Sequence, residues 1–175
     1  MRATAIGLGG GGFSRLGIGQ DKGTGNAEAV VRAALDAGIN LIDTAEAYGT
    51  ETAVGNAIQH VARDRLILST KLSYKVEGKL KTAAQIEASL EASLNGANAK
   101  DYPAIVETVL PMLRRQRDQG TLRFIGITEA FSHDTDHQAL SLAVRDDDWD
   151  VMMVGFNLLN TSARDLLFAA TRAKG

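Results

Sequence analysis

The stretch NAEAVVRAALDA, residues 26–37, sets Val30, Val31, Ala34 and Leu35 at helical spacing and is followed by Gly38. This pattern predicts an amphipathic helix closed by a glycine at C′. The short apolar run INLID (39–43) comes next and reads as a buried strand. The same rhythm repeats: 51–62 is helical, and RLILST (65–70) is a strand. Thr82 and Gln85 form a capping box that opens a helix through Ile86, Leu90 and Leu94. A further helix is predicted over 104–119, with Ile105, Val106, Val109 and Leu113 on its apolar side, Gly120 as its stop, and a kink or late start at Pro111. The pattern then gives a strand at 122–127, a helix at 136–145, a strand at 150–156 and a helix at 162–174. Strands alternating with helices imply an α/β fold with a parallel sheet covered by helices.

The strand starts lie near residues 4, 39, 65, 122 and 150. Most intervals are therefore about 26 to 35 residues, the size of one βα unit, but the third is about 57. The segment between its two helices, NGANAKDY (95–102), contains no Val, Ile or Thr. A strand is expected to be missing there.

Composition narrows the function classes. The chain has 175 residues, 45% hydrophobic and 23% charged, as expected for a single globular domain over 1–175. With 19 basic and 21 acidic side chains and no block of either sign, neither nucleic acid nor an anionic membrane is an expected partner. The absence of cysteine excludes disulfides and thiolate metal sites. His133 and His137 stand four apart in SHDTDHQ, and their polar neighbours favour a surface or N-cap role over a metal site. The N-terminal apolar run is too short for a signal or membrane span, so a cytoplasmic location is expected.

The opening glycines, IGLGGGGF (6–13), contain G-x-G-x-x-G, the spacing of a dinucleotide-binding turn. That turn requires its third glycine to open a helix directly. Here FSRLGIGQDKGTG intervenes, so the glycines are read instead as a strand end that lets another group approach closely or turns sharply.

A more specific pattern follows. DTAEAYGTETAVG (43–55), together with STK (69–71) at the end of the next predicted strand, resembles the aldo/keto reductase family. LGGGGF, GTLRFIGIT and VGFNLLN extend the likeness to strands one, five and six of that family's (β/α)8 barrel. The resemblance implies a TIM-barrel-type parallel sheet whose active face gathers Asp43, Tyr48 and Lys71. It also implies NADP(H) as cofactor and a small carbonyl substrate, possibly sugar-like, reduced to an alcohol. Tyr48 would be the proton donor. Lys71, paired with Asp43, would ease release of the phenolic proton. Taken singly, each residue has a plainer reading: Asp43 and Thr44 as a strand end, Tyr48 as turn filler, Lys71 as a solvated cation.

The chain also departs from the family. No histidine maps to the one that orients the carbonyl at the end of strand four. Thr128-Glu129 stand where a Ser-Asn pair commonly holds the nicotinamide amide, leaving Thr128 one hydrogen bond. Met153 replaces a glutamine, and Asn157 is the nearest amide side chain. The sequence stops at Gly175, before strands seven and eight and their phosphate-gripping loops. The expected fold is thus a partial barrel of about five strands with surrounding helices, whose open edges invite homo-oligomerisation or partner binding. Two functional expectations follow: an NADP(H)-dependent oxidoreductase with Asp43, Thr128 and Asn157 toward the cofactor, or a non-catalytic relative that uses its open sheet for assembly.

Overall fold

The computed structural model describes residues 2–77, 79–81 and 93–174, so the helix read from the capping box at Thr82 lies outside the described residues except at its end, where Leu94 belongs to a strand and not to a helix. The chain divides into two compact units, Met1–Lys71 and Leu72–Gly175.

In the first unit, three short strands, β1 (Leu8–Gly9), β2 (Leu41–Asp43) and β3 (Ile67–Ser69), form a parallel sheet in that order. Helices α1 (Gly23–Asp36) and α2 (Glu51–Ile58) occupy the predicted stretches. Helix α1 ends where Gly38 takes a positive φ of 87°. Ala27 and Val31 of α1 and Ala53, Val54 and Ala57 of α2 are buried with Ile42 and Leu16 in one apolar cluster. The register pairs Leu8 with Ile42, and Asp43 with Ser69. This brings the polar ends of the strands together at their C-terminal side.

The second unit is built on a four-stranded sheet. Its strands are β4 (Lys71–Ser73), which begins at the unit boundary, β7 (Ser93–Ala97), β8 (Gly126–Glu129) and β9 (Val151–Met153), in the order β4-β7-β8-β9. A small antiparallel hairpin, β5 (Lys75–Val76) with β6 (Lys79–Leu80), follows β4. Pairing of β7 with β8 and of β8 with β9 is parallel. Helices α3 (Tyr102–Ala104), α4 (Leu110–Asp118), α5 (Gln138–Ala143) and α6 (Ala169–Lys174) supply Tyr102, Leu113, Leu140 and their neighbours to a core around the fully buried Ile125 and Ile127. Among the described residues no closed barrel forms; apart from the β5–β6 hairpin, strands pair in parallel beside helices, as expected of a partial barrel.

One expectation is corrected. The interval judged to lack a strand contains β7, and Ser93 and Leu94 pair with Gly126 and Ile127. Its sequence, SLNGA, has no β-branched residue, so its extended form rests on pairing with β8 and not on local propensity. The ladder is irregular between Leu94 and Ala97.

Pro111 acts as expected. Its missing N–H and its ring disturb the helix one turn earlier. There a π-helical turn, Ile105–Val109, joins α3 to α4, and Pro111 sits in the first turn of α4. The turn keeps Ile105, Val109 and Leu113 buried together.

Between β4 and α3, Asp101 gathers three donors: Tyr74 Oη at 2.9 Å, Lys75 Nζ at 2.6 Å and Asn98 Nδ2 at 2.5 Å. The Lys75 ammonium, with the other donors, holds the Asp101 carboxyl below its ordinary value. Burial, and then the Asp101 carboxylate, push the Tyr74 phenol above its own.

Two outcomes are expected. Ile127→Ala leaves a cavity in the centre of β8 and lowers the unfolding free energy by about 2–5 kcal/mol in urea titrations. The Asp101 contribution is present above the ordinary carboxylate range and lost as pH falls through its lowered folded-state value. Acid unfolding of Asp101→Asn therefore has a shallower pH dependence in that range than wild type, as followed by circular dichroism.

Candidate active site

Asp43 is the last residue of β2, and the parallel register sets it beside Ser69. Two residues beyond Ser69 stands Lys71, 4% exposed and so in need of a counter-charge. Lys71 Nζ lies 2.5 Å from Asp43 Oδ1 and donates to the Thr44 carbonyl at 3.1 Å. Ser69 Oγ donates to the same Asp43 oxygen at 2.8 Å, and the Thr44 N–H donates to Ser69 O at 2.7 Å. The strand ends and their charges are thus interlocked.

Tyr48 closes a short 3₁₀ turn, Glu46–Tyr48, which ends at Gly49 with a positive φ of 66°. Its half-buried ring lies under the Lys71 ammonium, 5.3 Å from Nζ to the ring centre. The opening glycines explain how the ring comes so close. A Cβ at Gly11 would meet Tyr48 Cζ at 2.8 Å, and one at Gly10 would meet Thr50 Oγ1 at 2.8 Å. Gly10 N–H donates to Asp43 O at 2.6 Å, and the buried Thr44 and Thr50 hydroxyls lie 2.7 Å apart. The glycine run is a surface against which the Tyr48 turn packs, in keeping with the close-approach reading.

The other site candidates lie in the second unit. Thr128 is in β8 opposite Met153 of β9. Asn157 follows β9 in a tight turn, its Oδ1 accepting from the Leu159 and Asn160 N–H groups at 2.8 and 2.9 Å. His133 is exposed, whereas His137, at the N-cap position of α5, is fully buried against Glu129 and not at the surface as its polar neighbours implied. Ser69, Thr50 and the Glu129–His137 pair escaped the sequence reading. Ser69 was within reach of it, because the triplet STK carries both donors to the Asp43 carboxylate.

A sequence model of the aldo/keto reductase family matches residues 5–175. The chain belongs to that family. Among curated relatives, an aldo-keto reductase of Mycolicibacterium smegmatis is 45% identical over 78 residues, which are 43% of this chain and 27% of its own length. Aldo-keto reductase Rv2971 of Mycobacterium tuberculosis is 47% identical over 66 residues, 37% of this chain and 23% of its own. These matches therefore span about a quarter of the relatives' lengths. Among solved structures, PA4992 from Pseudomonas aeruginosa is 25% identical with a TM-score of 0.69, covering 98% of this chain and 71% of its own. The aldo-keto reductase MGS-M4, from a deep-sea metagenome library, shares the fold at 21% identity and a TM-score of 0.71, covering 99% of this chain and 62% of its own. The chain thus spans only part of the length of those relatives. Strand β7, although present, carries no histidine. Among the described residues no helix is long and apolar enough to cross a membrane.

The glycine contacts predict a contrast between neighbours. Gly11→Ala overpacks the Tyr48 ring and costs about 1–3 kcal/mol, with displaced Tyr48 ring resonances by NMR. Gly9→Ala, where an added Cβ meets nothing within 4 Å, leaves both the stability and the ring signals close to wild type.

Proposed function

We propose that the chain is an NADP(H)-dependent oxidoreductase that reduces small aldehydes or ketones, with sugar-like carbonyls among the candidates. The observation that carries this reading is the Asp43–Lys71–Tyr48 cluster, in which a buried ammonium is held by a carboxylate against a phenol ring. In such a cluster Tyr48 is the proton donor, Lys71 the cation that favours release of its proton, and Asp43 the group that fixes Lys71. The carbonyl carbon receives a hydride and its oxygen the Tyr48 proton, giving the alcohol.

The residues of the second unit fit the amide end of a nicotinamide cofactor. Thr128 offers a hydroxyl that donates or accepts. With Asn157 Oδ1 committed to its own turn, the Nδ2 group remains as a donor for an amide oxygen. When bound, a nicotinamide cofactor supplies the hydride. Lys71, shielded from water and held by Asp43, sits over the Tyr48 ring, a preset arrangement of the kind that needs little reorganisation during proton transfer.

One observation supports a second reading, a shortened relative that works by assembly through its open sheet. Strand β9 is terminal in its sheet, and Val151, Phe156, Leu158 and Leu159 are exposed along and beyond it. Light scattering on a size-exclusion column separates the two readings when paired with turnover. A monomer that reduces carbonyls rules out the assembly reading, and an oligomer without turnover rules out the enzyme.

The test of the first reading is NADPH oxidation with a panel of aldehydes, ketones and aldoses. Tyr48→Phe removes the proton donor and lowers kcat by about 10²–10⁴-fold, and Lys71→Met also impairs it. Absence of NADPH oxidation by folded wild-type protein with the whole panel would contradict the proposal.

A further inference from the structure

A carboxylate buried at the end of a strand needs donors, and Glu129, the last residue of β8, finds two. Its side chain is 1% exposed and that of His137 0%. His137 Nδ1 lies 2.9 Å from both Glu129 oxygens, and the Gly155 N–H donates to Oε1 at 2.8 Å. A carboxylate only accepts, so Nδ1 carries the hydrogen. The ring of His137 stacks on Phe131, with centres 5.8 Å apart and planes at 17°. Phe131 in turn covers Gly155 so closely that a Cβ there would lie 2.2 Å from the ring. His137 itself is fixed on both sides. It takes a left-handed φ of 56°, and the Asp134 carboxylate just before it accepts the Gln138 and Ala139 N–H groups at 2.9 Å.

The position of this knot gives it a role. The backbone ladder between β8 and β9 runs from Gly126↔Val151 to Thr128↔Met153 and goes no further. Beyond that point the Glu129 side chain bridges to Gly155, which lies two residues before Asn157. The pair therefore holds the two strand ends that carry Thr128 and Asn157.

We infer that Glu129 and His137 form a positioning pair for cofactor binding: they touch no reactant, but fix the ends of β8 and β9 so that Thr128 and Asn157 meet the nicotinamide amide together. This rests on the oxidoreductase reading above. In a Glu129→Gln chain the amide sets a donor against the Nδ1 hydrogen. If the ring shifts its hydrogen to Nε2, that atom, which is buried with no partner among the described residues, is left as a donor with no acceptor. Either outcome loosens the link to Gly155.

The experiment is an NADPH fluorescence titration of the full chain and its variants, each checked for folding by its amide NMR spectrum. Glu129→Gln and His137→Phe are expected to raise the Kd at least about tenfold, the effect of leaving a buried polar group unpaired. Both are also expected to shift the Thr128, Gly155 and Asn157 amide signals. His137→Asn places an N–H donor near Nδ1 and suits the left-handed backbone, so it recovers most of the affinity that His137→Phe loses. If Glu129→Gln does not fold, the Phe and Asn variants at His137 give the same comparison. Wild-type affinity in Glu129→Gln or His137→Phe would overturn the inference, as would a loss in His137→Asn equal to that in His137→Phe. Failure of wild type to bind NADPH would overturn the oxidoreductase reading itself and the role of the pair with it.

Discussion

Most of the first unit follows from one electrostatic constraint: an ammonium 4% exposed must have its charge balanced where it sits. In fully buried pairs, removing one partner costs about 3–5 kcal/mol. The cost here is smaller because the Asp43 side chain remains 21% exposed. Meeting the constraint fixes the surroundings. The register of β2 with β3 sets Asp43 beside Ser69, and the Lys71 ammonium also takes the Thr44 carbonyl. The Asp43 carbonyl accepts from Gly10, which draws the glycine run beneath the Tyr48 turn. Charge balance, strand register and the seat of the phenol ring are thus one arrangement.

This part of the protein was legible from its sequence because residue type and position agreed. Asp43 and Lys71 follow short apolar runs that form strands, half-buried except at Ile42, and the Tyr48–Gly49 turn lies between them. The glycines were read correctly as a place of close approach, although the groups that approach, Tyr48 and Thr50, emerged only in three dimensions.

Two features were hidden for physical reasons. Strand β7, SLNGA, has no β-branched or aromatic residue, and its extended form derives from pairing with β8, a non-local interaction that propensity does not register. His137 sits among Asp, Thr and Gln in the sequence, which marks a surface position. Its actual surroundings are Glu129 and Phe131, set by the turn between β8 and α5. A glutamate ending a strand, followed by a histidine at the N-cap of an apolar helix, is the signal that points to the pair. Pro111 shows the converse: its local chemistry was strong enough to place the irregularity in its helix correctly.

In the proposed function the Asp43–Lys71–Tyr48 cluster serves hydride transfer to a carbonyl. The most direct measurement uses NADPH deuterated at the transferable C4 position, incubated with folded chain and an aldehyde, and the product analysed by mass spectrometry. One deuterium is expected on the carbinol carbon of the alcohol. Unreduced aldehyde, or alcohol formed without deuterium from either face of the cofactor, would contradict it.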